Sequence, residues 1–263
     1  MQLEFFQIDA FATKPFEGNP AAVFPLQAWL PDATLQSIAE EHNLSETVFF
    51  VKTTDGYHIR WFTPAAEVDL CGHATLASAF ALFQILEPER TSVTFASKSG
   101  PLSVHRNGTL MTLDFPAESL VTCPVPEALR TGLGVEPEEV LKCDDYFAVL
   151  GSETALRSLA PNHAALAALD CRGICVTAPG DHVDFVSRFF APRLGIKEDP
   201  VTGSSHCALT PYWAGKLGKA KLSARQLSPR GGNLECELHG DRVEISGTAA
   251  LYLRGTVYIE DPA

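Results

Sequence analysis

The chain contains no run of five or more basic residues and no apolar stretch approaching the ~18 residues of a membrane span. Its N-terminus, MQLEFFQIDAFATKPF, lacks the basic-then-apolar pattern of a secretion leader. Phosphate neutralisation needs clustered Lys and Arg, so nucleic acid is not expected as a partner. The formal charge of -12, from 32 acidic against 20 basic residues, points the same way. A cytoplasmic protein with no membrane association is the expectation. Also missing are GxSxG, GxGxxG, a P-loop, HxH and HExxH, which removes the motif support for serine hydrolase, dinucleotide, nucleoside triphosphate and zinc-protease chemistry. The seven cysteines (71, 123, 143, 171, 175, 207 and 236) are odd in number and form no framework. Free thiols are expected. The one close pair, Cys171 and Cys175, has neither a second pair nor a histidine cluster, so no metal is expected.

What is present is a globular composition, 46% hydrophobic and 20% charged, in 263 residues, enough for one large domain or two of about half that length. Leu3–Asp9 reads as a strand, and Pro31-Asp32 opens a helix with Leu35, Ile38 and Ala39 on one face, stopped by Asn43. Strands follow at Thr47–Val51 and Tyr57–Phe62, then an alanine-rich helix from Gly72 to about Leu86, then two strands meeting at Asn107-Gly108. The second half repeats the mixture, with a helix expected over Ala155–Leu169, strands near 174–177 and 183–190, a helix from Ser204 and β-structure to the end. No βαβαβ alternation runs through it, which favours α+β over a doubly wound sheet.

The sequence also resembles itself. Arg60-Trp61-Phe62-Thr63-Pro64 recurs as Arg188-Phe189-Phe190-Ala191-Pro192. Each copy precedes acidic residues, a glycine, a histidine and a small-residue helix: Glu67, Asp69, Gly72 and His73 in one, Glu198, Asp199, Gly203 and His206 in the other. The offset is 128 residues at the arginines (60 to 188) and 131 at the glycines (72 to 203). Two similar α+β halves facing each other, with a cleft between them, are the expectation, and coincidence between two short aromatic-proline strings is the alternative. Two glycine-led helix starts would turn free amides and positive dipole ends towards one place, suited to a carboxylate.

Three side chains stand out for chemistry. Glu46, in NLSETVFF beside Ser45, lies between a helix end and an apolar strand, where a partly desolvated carboxylate can work as acid or base. The second half offers no carboxylate near Arg172-Gly173-Ile174-Cys175, so one base would serve one face of the substrate. His73 follows Gly72 at a helix start, and Asp199 precedes Pro200. Taken singly, each has a plain structural role as a cap, a packing residue or a turn. Ser204 and Ser205 add hydroxyls beside the second glycine, Gly203. With other chemistries set aside, cofactor-free proton transfer remains.

DAFATKPFEGNPAAVF, NLSETVFF, FTPAAEVDLCGHATLASA, FFAP, EDPVTGSSHCAL and ISGTAALYLRG, in this order, resemble the PhzF-like (phenazine biosynthesis) isomerase family, from about Ile8 to Val257. The resemblance implies the diaminopimelate-epimerase-like fold: two similar halves, each a mixed or antiparallel sheet wrapped around a central helix, with the active site between them. The halves would be 1–116 with a returning strand at 248–263, and 117–247. It implies a homodimer, no cofactor, and a small, carboxylated and sometimes cyclic substrate on which a glutamate moves a proton between carbons. The family's catalytic positions fall on Glu46, His73, Asp199 and Ser204. Ser45, Gly72, Gly203, Asn19 and Cys71 are expected around the substrate, with Phe16 and Tyr212 as candidate walls. Cys71 departs from the alanine of the phenazine branch and stands where racemases of this fold carry a thiol. The partner position is Thr202, and Cys207 comes a helical turn too late, so a two-thiol racemase does not fit. A Cys71/Thr202 dehydratase or epimerase of an amino or hydroxy acid stays open, as does a non-catalytic binding protein built on the same fold.

Overall fold

The structure, a computed structural model, describes residues 1–260. The chain divides into two compact units, Met1–Phe115 together with the chain from Ser246, and Pro116–Ile245. No described helix is long and apolar enough to cross a membrane.

In the first unit, β1 (Gln2–Ala10) and β2 (Asn19–Leu26) are antiparallel, and α1 (Asp32–His42) returns the chain so that β3 (Glu46–Thr53) lies parallel to β2. A tight turn brings β4 (Gly56–Phe62) back against β3, and the short β5 (Glu67–Val68) follows on β4. Helix α2 (Gly72–Ala81) ends in a π-helical turn, Leu82–Leu86. It leads into β6 (Ser92–Ser97), parallel to β4, and the hairpin β7 (Gly100–Asn107) and β8 (Leu110–Pro116). The final strand, Ala249–Tyr258, pairs with β1.

Burial explains the helices. Leu35, Ile38 and Ala39 of α1 are covered, as their spacing predicts, and Asn43 closes the helix in the left-handed conformation. In α2 eight of ten residues are buried, from His73 through Ala81, so no polar face is left to water. This is the central helix, packed on β1, β2 and β3. Its small residues let strands approach, and its hydroxyls bond within the helix, Thr75 Oγ1 to the Cys71 carbonyl at 2.6 Å and Ser78 Oγ to that of Ala74 at 2.9 Å. Gly18, in the GNP turn that leads into β2, has φ +65°, and a Cβ there would lie 2.0 Å from the Ala10 carbonyl oxygen. Only glycine fits.

The second unit starts with β9 (Val121–Thr122), α3 (Glu127–Leu133), β10 (Glu139–Lys142) and β11 (Tyr146–Val149). The helix expected over Ala155–Leu169 is instead two short ones, α4 (Glu153–Arg157) and α5 (His163–Leu166). Pro161 cannot continue a helix, and Asn162 recaps the chain by accepting from the Ala165 N–H at 3.2 Å. Strands β12 (Ile174–Pro179), β13 (Phe185–Ala191) and β14 (Ile196–Asp199) precede α6 (Gly203–Leu217). Then come β15 (Lys221–Gln226), β16 (Gly232–His239), β17 (Arg242–Gly247) and β18, the Ala249–Tyr258 strand already described. Pro211 lies inside α6 and frees the Cys207 carbonyl, which accepts from the Glu118 N–H at 3.1 Å.

The repeat holds strand by strand. β1 to β2, β3, β4, β6 and β7 pair as antiparallel, parallel, antiparallel, parallel, antiparallel. β10 to β11, β12, β13, β15 and β16 pair in the same series. It extends to side chains. Arg60 forks onto Glu67 at 2.8 and 2.9 Å, and Arg188 onto Glu198 at 2.7 and 3.0 Å. Hydrogen bonding from Arg60, aided by Lys98, outweighs burial and holds the Glu67 carboxyl at about 2.

Candidate active site

In the first unit the local rules of helix and strand starts bring four side chains together. Glu46 is the first residue of β3, after Asn43 has turned the chain out of α1. Cys71 stands extended at the start of α2, and His73 is the helix's second residue. Asn19 opens β2. His73 Nε2 lies 3.1 Å from Glu46 Oε2. His73 Nδ1 lies 3.3 Å from Asn19 Nδ2 and 3.4 Å from Cys71 Sγ. An amide N–H₂ only donates, so Nδ1 can accept from Asn19 only while the ring is neutral; on the charged ring Nδ1 is a donor, and Cys71 Sγ is the acceptor beside it. Asn19 is fully buried, His73 and Cys71 are buried, and Glu46 keeps a small exposed edge with Ser45 beside it half-buried. Glu46 Oε2 is itself buried with no hydrogen bond, since its contact with His73 is a close approach rather than an aligned bond.

The charges settle differently on the two neighbours of Glu46. Burial opposes charge on His73, but Cys71 and Glu46 outweigh it and raise the imidazole well above its usual value. Burial pushes the Cys71 thiol up, and the Glu46 carboxylate pushes it further. At neutral pH Cys71 keeps its proton, so the carboxylate is the lasting partner of a protonated His73. The donor atoms of Glu46, Cys71 and His73 lie within 4.8 Å of one another, a set that would hold a soft divalent metal ion only by displacing those protons.

The second unit's helix start is built differently. The Thr202 hydroxyl donates to Asp199 Oδ2 at 2.5 Å. Gln226, fully buried, accepts from the Thr202 N–H at 2.9 Å and donates to the Asp199 carbonyl at 2.8 Å. Ser204 Oγ accepts from Arg172 Nη2 at 3.0 Å. Arg172 forks onto Asp145, itself buried, and Asp145 also accepts from the Gly173 N–H at 2.8 Å. The repeat pairs His73 with Ser204, since both directly follow a helix's first glycine. His206 is not its counterpart: it is fully buried a turn into α6, against the Thr202 carbonyl at 2.8 Å, and burial lowers it to about 4.

A carboxylate close to a histidine at a helix start, within a twice-repeated α+β unit, narrows the possible relatives. The family model for phenazine biosynthesis-like proteins (PhzC-PhzF) matches residues 8–255. The chain belongs to this family. Among PhzC-PhzF relatives, an uncharacterized isomerase of Pseudomonas aeruginosa is 54% identical over 259 residues, covering 98% of this chain and 100% of that one. The crystal structure of a PhzF-family protein from Enterococcus faecalis superposes with a TM-score of 0.96 at 48% identity, over 98% of this chain and 100% of the other. A hydroxyproline epimerase from Agrobacterium vitis, at 11% identity and TM-score 0.62 over 99% and 94% of the two chains, shares the fold. The fold is that of the epimerase and racemase group expected from the sequence.

Glu46, His73, Cys71 and Asn19 thus converge in the first unit, with Ser45 and Gly72 adjacent to them in the chain. Asp199, Gly203 and Ser204 lie together in the second. Phe16 is exposed at φ 77°, its ring against Tyr252 at 5.4 Å, and Tyr212 donates to Glu139 at 2.8 Å. Sequence reasoning missed Gln226 and Asp145. No local motif marks them, because each acts through a partner more than twenty residues away.

Proposed function

We propose that this isomerase moves a proton between carbons of a small carboxylated metabolite, with Glu46 as base and then acid. The observation that carries the reading is a buried, unbonded Glu46 oxygen 3.1 Å from His73. Glu46 takes a proton from a carbon made acidic by a neighbouring carbonyl or double bond. The electron pair delocalises into the substrate, and the proton returns at a second carbon, so no net oxidation occurs. Protonated His73 offsets the developing negative charge. Asn19 fixes the ring, while Asp199 and Ser204 bind and orient substrate. The cycle is internally balanced and asks for no cofactor.

A thiol mechanism at Cys71 is less well supported. Its proton is held more tightly than in a free cysteine, the reverse of what a nucleophilic or basic thiolate needs. Thr202, its partner in a dehydratase reading, already donates to Asp199. We further propose that the protein acts in the cytoplasm as a homodimer. β18 opposes Ile8 to Leu251 and Gln7 to Leu253, so Tyr252 bulges out of the ladder. Leu251, Tyr252 and Leu253 are consequently half-exposed in a row, beside an exposed Phe16. Leu253→Glu is expected to convert a dimer into a monomer by sedimentation.

The test of function is a metabolite screen in heavy water, read by mass. Proton transfer at carbon incorporates deuterium whatever the product. If small carboxylates raise the melting temperature but none exchanges, the protein is a binding member of the fold instead.

A further inference from the structure

The two units carry different chemistry at equivalent positions, and strand register defines the equivalence. Thr47 lies opposite Phe62, and Ile174 lies opposite Phe190, the repeat counterpart of Phe62. Thr47 therefore corresponds to Ile174, Glu46 to Gly173, and Ser45 to Arg172. A Cβ at Gly173 would lie 2.2 Å from Cζ of the buried Phe189, so a side chain there would have to displace that ring. The aromatic ring fills the place that the base has in the first unit. The next residue back, Arg172, lies over that same ring at 5.7 Å. The Glu46–His73 contact of one helix start is thus answered by an Arg172–Ser204 contact at the other.

The guanidinium is held but not used up. Nε and Nη2 are committed to Asp145 and Ser204, while Nη1 has no acceptor among the described residues, and about half of the side chain is exposed. Asp145 and, at longer range, Glu118 balance its charge, so attraction from Arg172 is short-ranged and depends on direct hydrogen bonding. A buried carboxylate that fixes one edge of a guanidinium leaves Nη1 oriented towards an anion, beside the Ser204 hydroxyl that Nη2 holds.

We propose that Arg172 is a substrate-recognition residue, its Nη1 and the Ser204 hydroxyl taking a carboxylate group of the substrate. The proposal rests on the reading of the substrate as a carboxylated molecule, and it extends that reading to a named residue. Phe189 and Asp145 act as positioning residues.

The test uses the full chain and small carboxylates, each paired with its primary amide, from propionate and propionamide to benzoate and benzamide, with binding read by ligand-detected NMR. Wild type is expected to prefer at least one carboxylate about 10- to 100-fold, the worth of a charged hydrogen bond. Arg172→Gln removes that preference, and Arg172→Lys, which keeps a charge against Asp145 but loses the fork, retains only part of it. Should Arg172→Gln fail to fold, the Lys variant decides, since it must weaken the preference at unchanged melting temperature. Glu46→Gln is expected to retain the carboxylate preference while losing deuterium exchange, which separates a failure here from a failure of the proton-transfer reading. No preference in wild type, or one that survives both Arg172 variants, overturns the assignment.

Discussion

Glu46→Gln keeps the shape of the side chain and removes its charge and basicity, so two consequences can be read in one variant. The first is chemical. A positioned general base is worth about 10²- to 10⁴-fold, and deuterium incorporation into a turned-over substrate should fall by that factor. The second is electrostatic. At 3.1 Å and an effective dielectric of ~20, the Glu46–His73 attraction is about 5 kcal/mol before desolvation is subtracted. His73 is raised in the folded state, so its stabilising contribution is fully present below the unfolded histidine value of about 6.5 and is lost as pH rises through the raised value. Without the carboxylate, the imidazole returns towards neutrality and that pH dependence largely disappears. Calorimetric melting should therefore show wild type and Glu46→Gln farthest apart near pH 6.5 and converging in alkali. Full exchange in the variant would refute Glu46 as base. A stability difference that stays constant across this range would refute the ion pair.

On the proposal that Glu46 carries the proton and the thiol only touches His73, Cys71→Ser is expected to slow exchange by less than about tenfold, under 1.4 kcal/mol of barrier. A loss as large as that of Glu46→Gln would reinstate the thiol. Gly18→Ala forces a Cβ to 2.0 Å from a carbonyl oxygen at positive φ and should cost well over about 1 kcal/mol by denaturant titration. Glu67→Gln should be less stable than wild type above pH ~4.5, with the gap closing as pH falls towards about 2, where the wild-type carboxylate is protonated.

Much of the architecture is legible in residue order because its causes are local. The spacing of Leu35, Ile38 and Ala39, the stop at Asn43 and the alanine-rich run after Gly72 depend on side-chain period and backbone freedom. The single long helix expected over Ala155–Leu169 fails for a local reason as well, since Pro161 and the cap Asn162 outweigh apolar periodicity. The repeat is visible at Arg60 and Arg188, yet its register is not. Counting histidines pairs His73 with His206, whereas strand pairing and helix starts pair His73 with Ser204.

Glu46 and His73 are ordinary singly, a charge at a strand entry and an imidazole at a helix start; they stand out in the sequence only together and through the family motifs that carry them. That they lie 3.1 Å apart, that Asn19 lies 3.3 Å from the ring's Nδ1, and that burial keeps the Cys71 thiol protonated are consequences of packing between segments far apart in the chain. The same holds for Arg172. In the primary structure it is one surface arginine among many; it becomes an oriented donor only because Phe189 occupies the place of a base and a buried Asp145 grips one edge of the fork. Residue types and their spacing therefore specify which groups are available. Desolvation and distance, which exist only once the chain has folded, decide which of them can hold a charge and act.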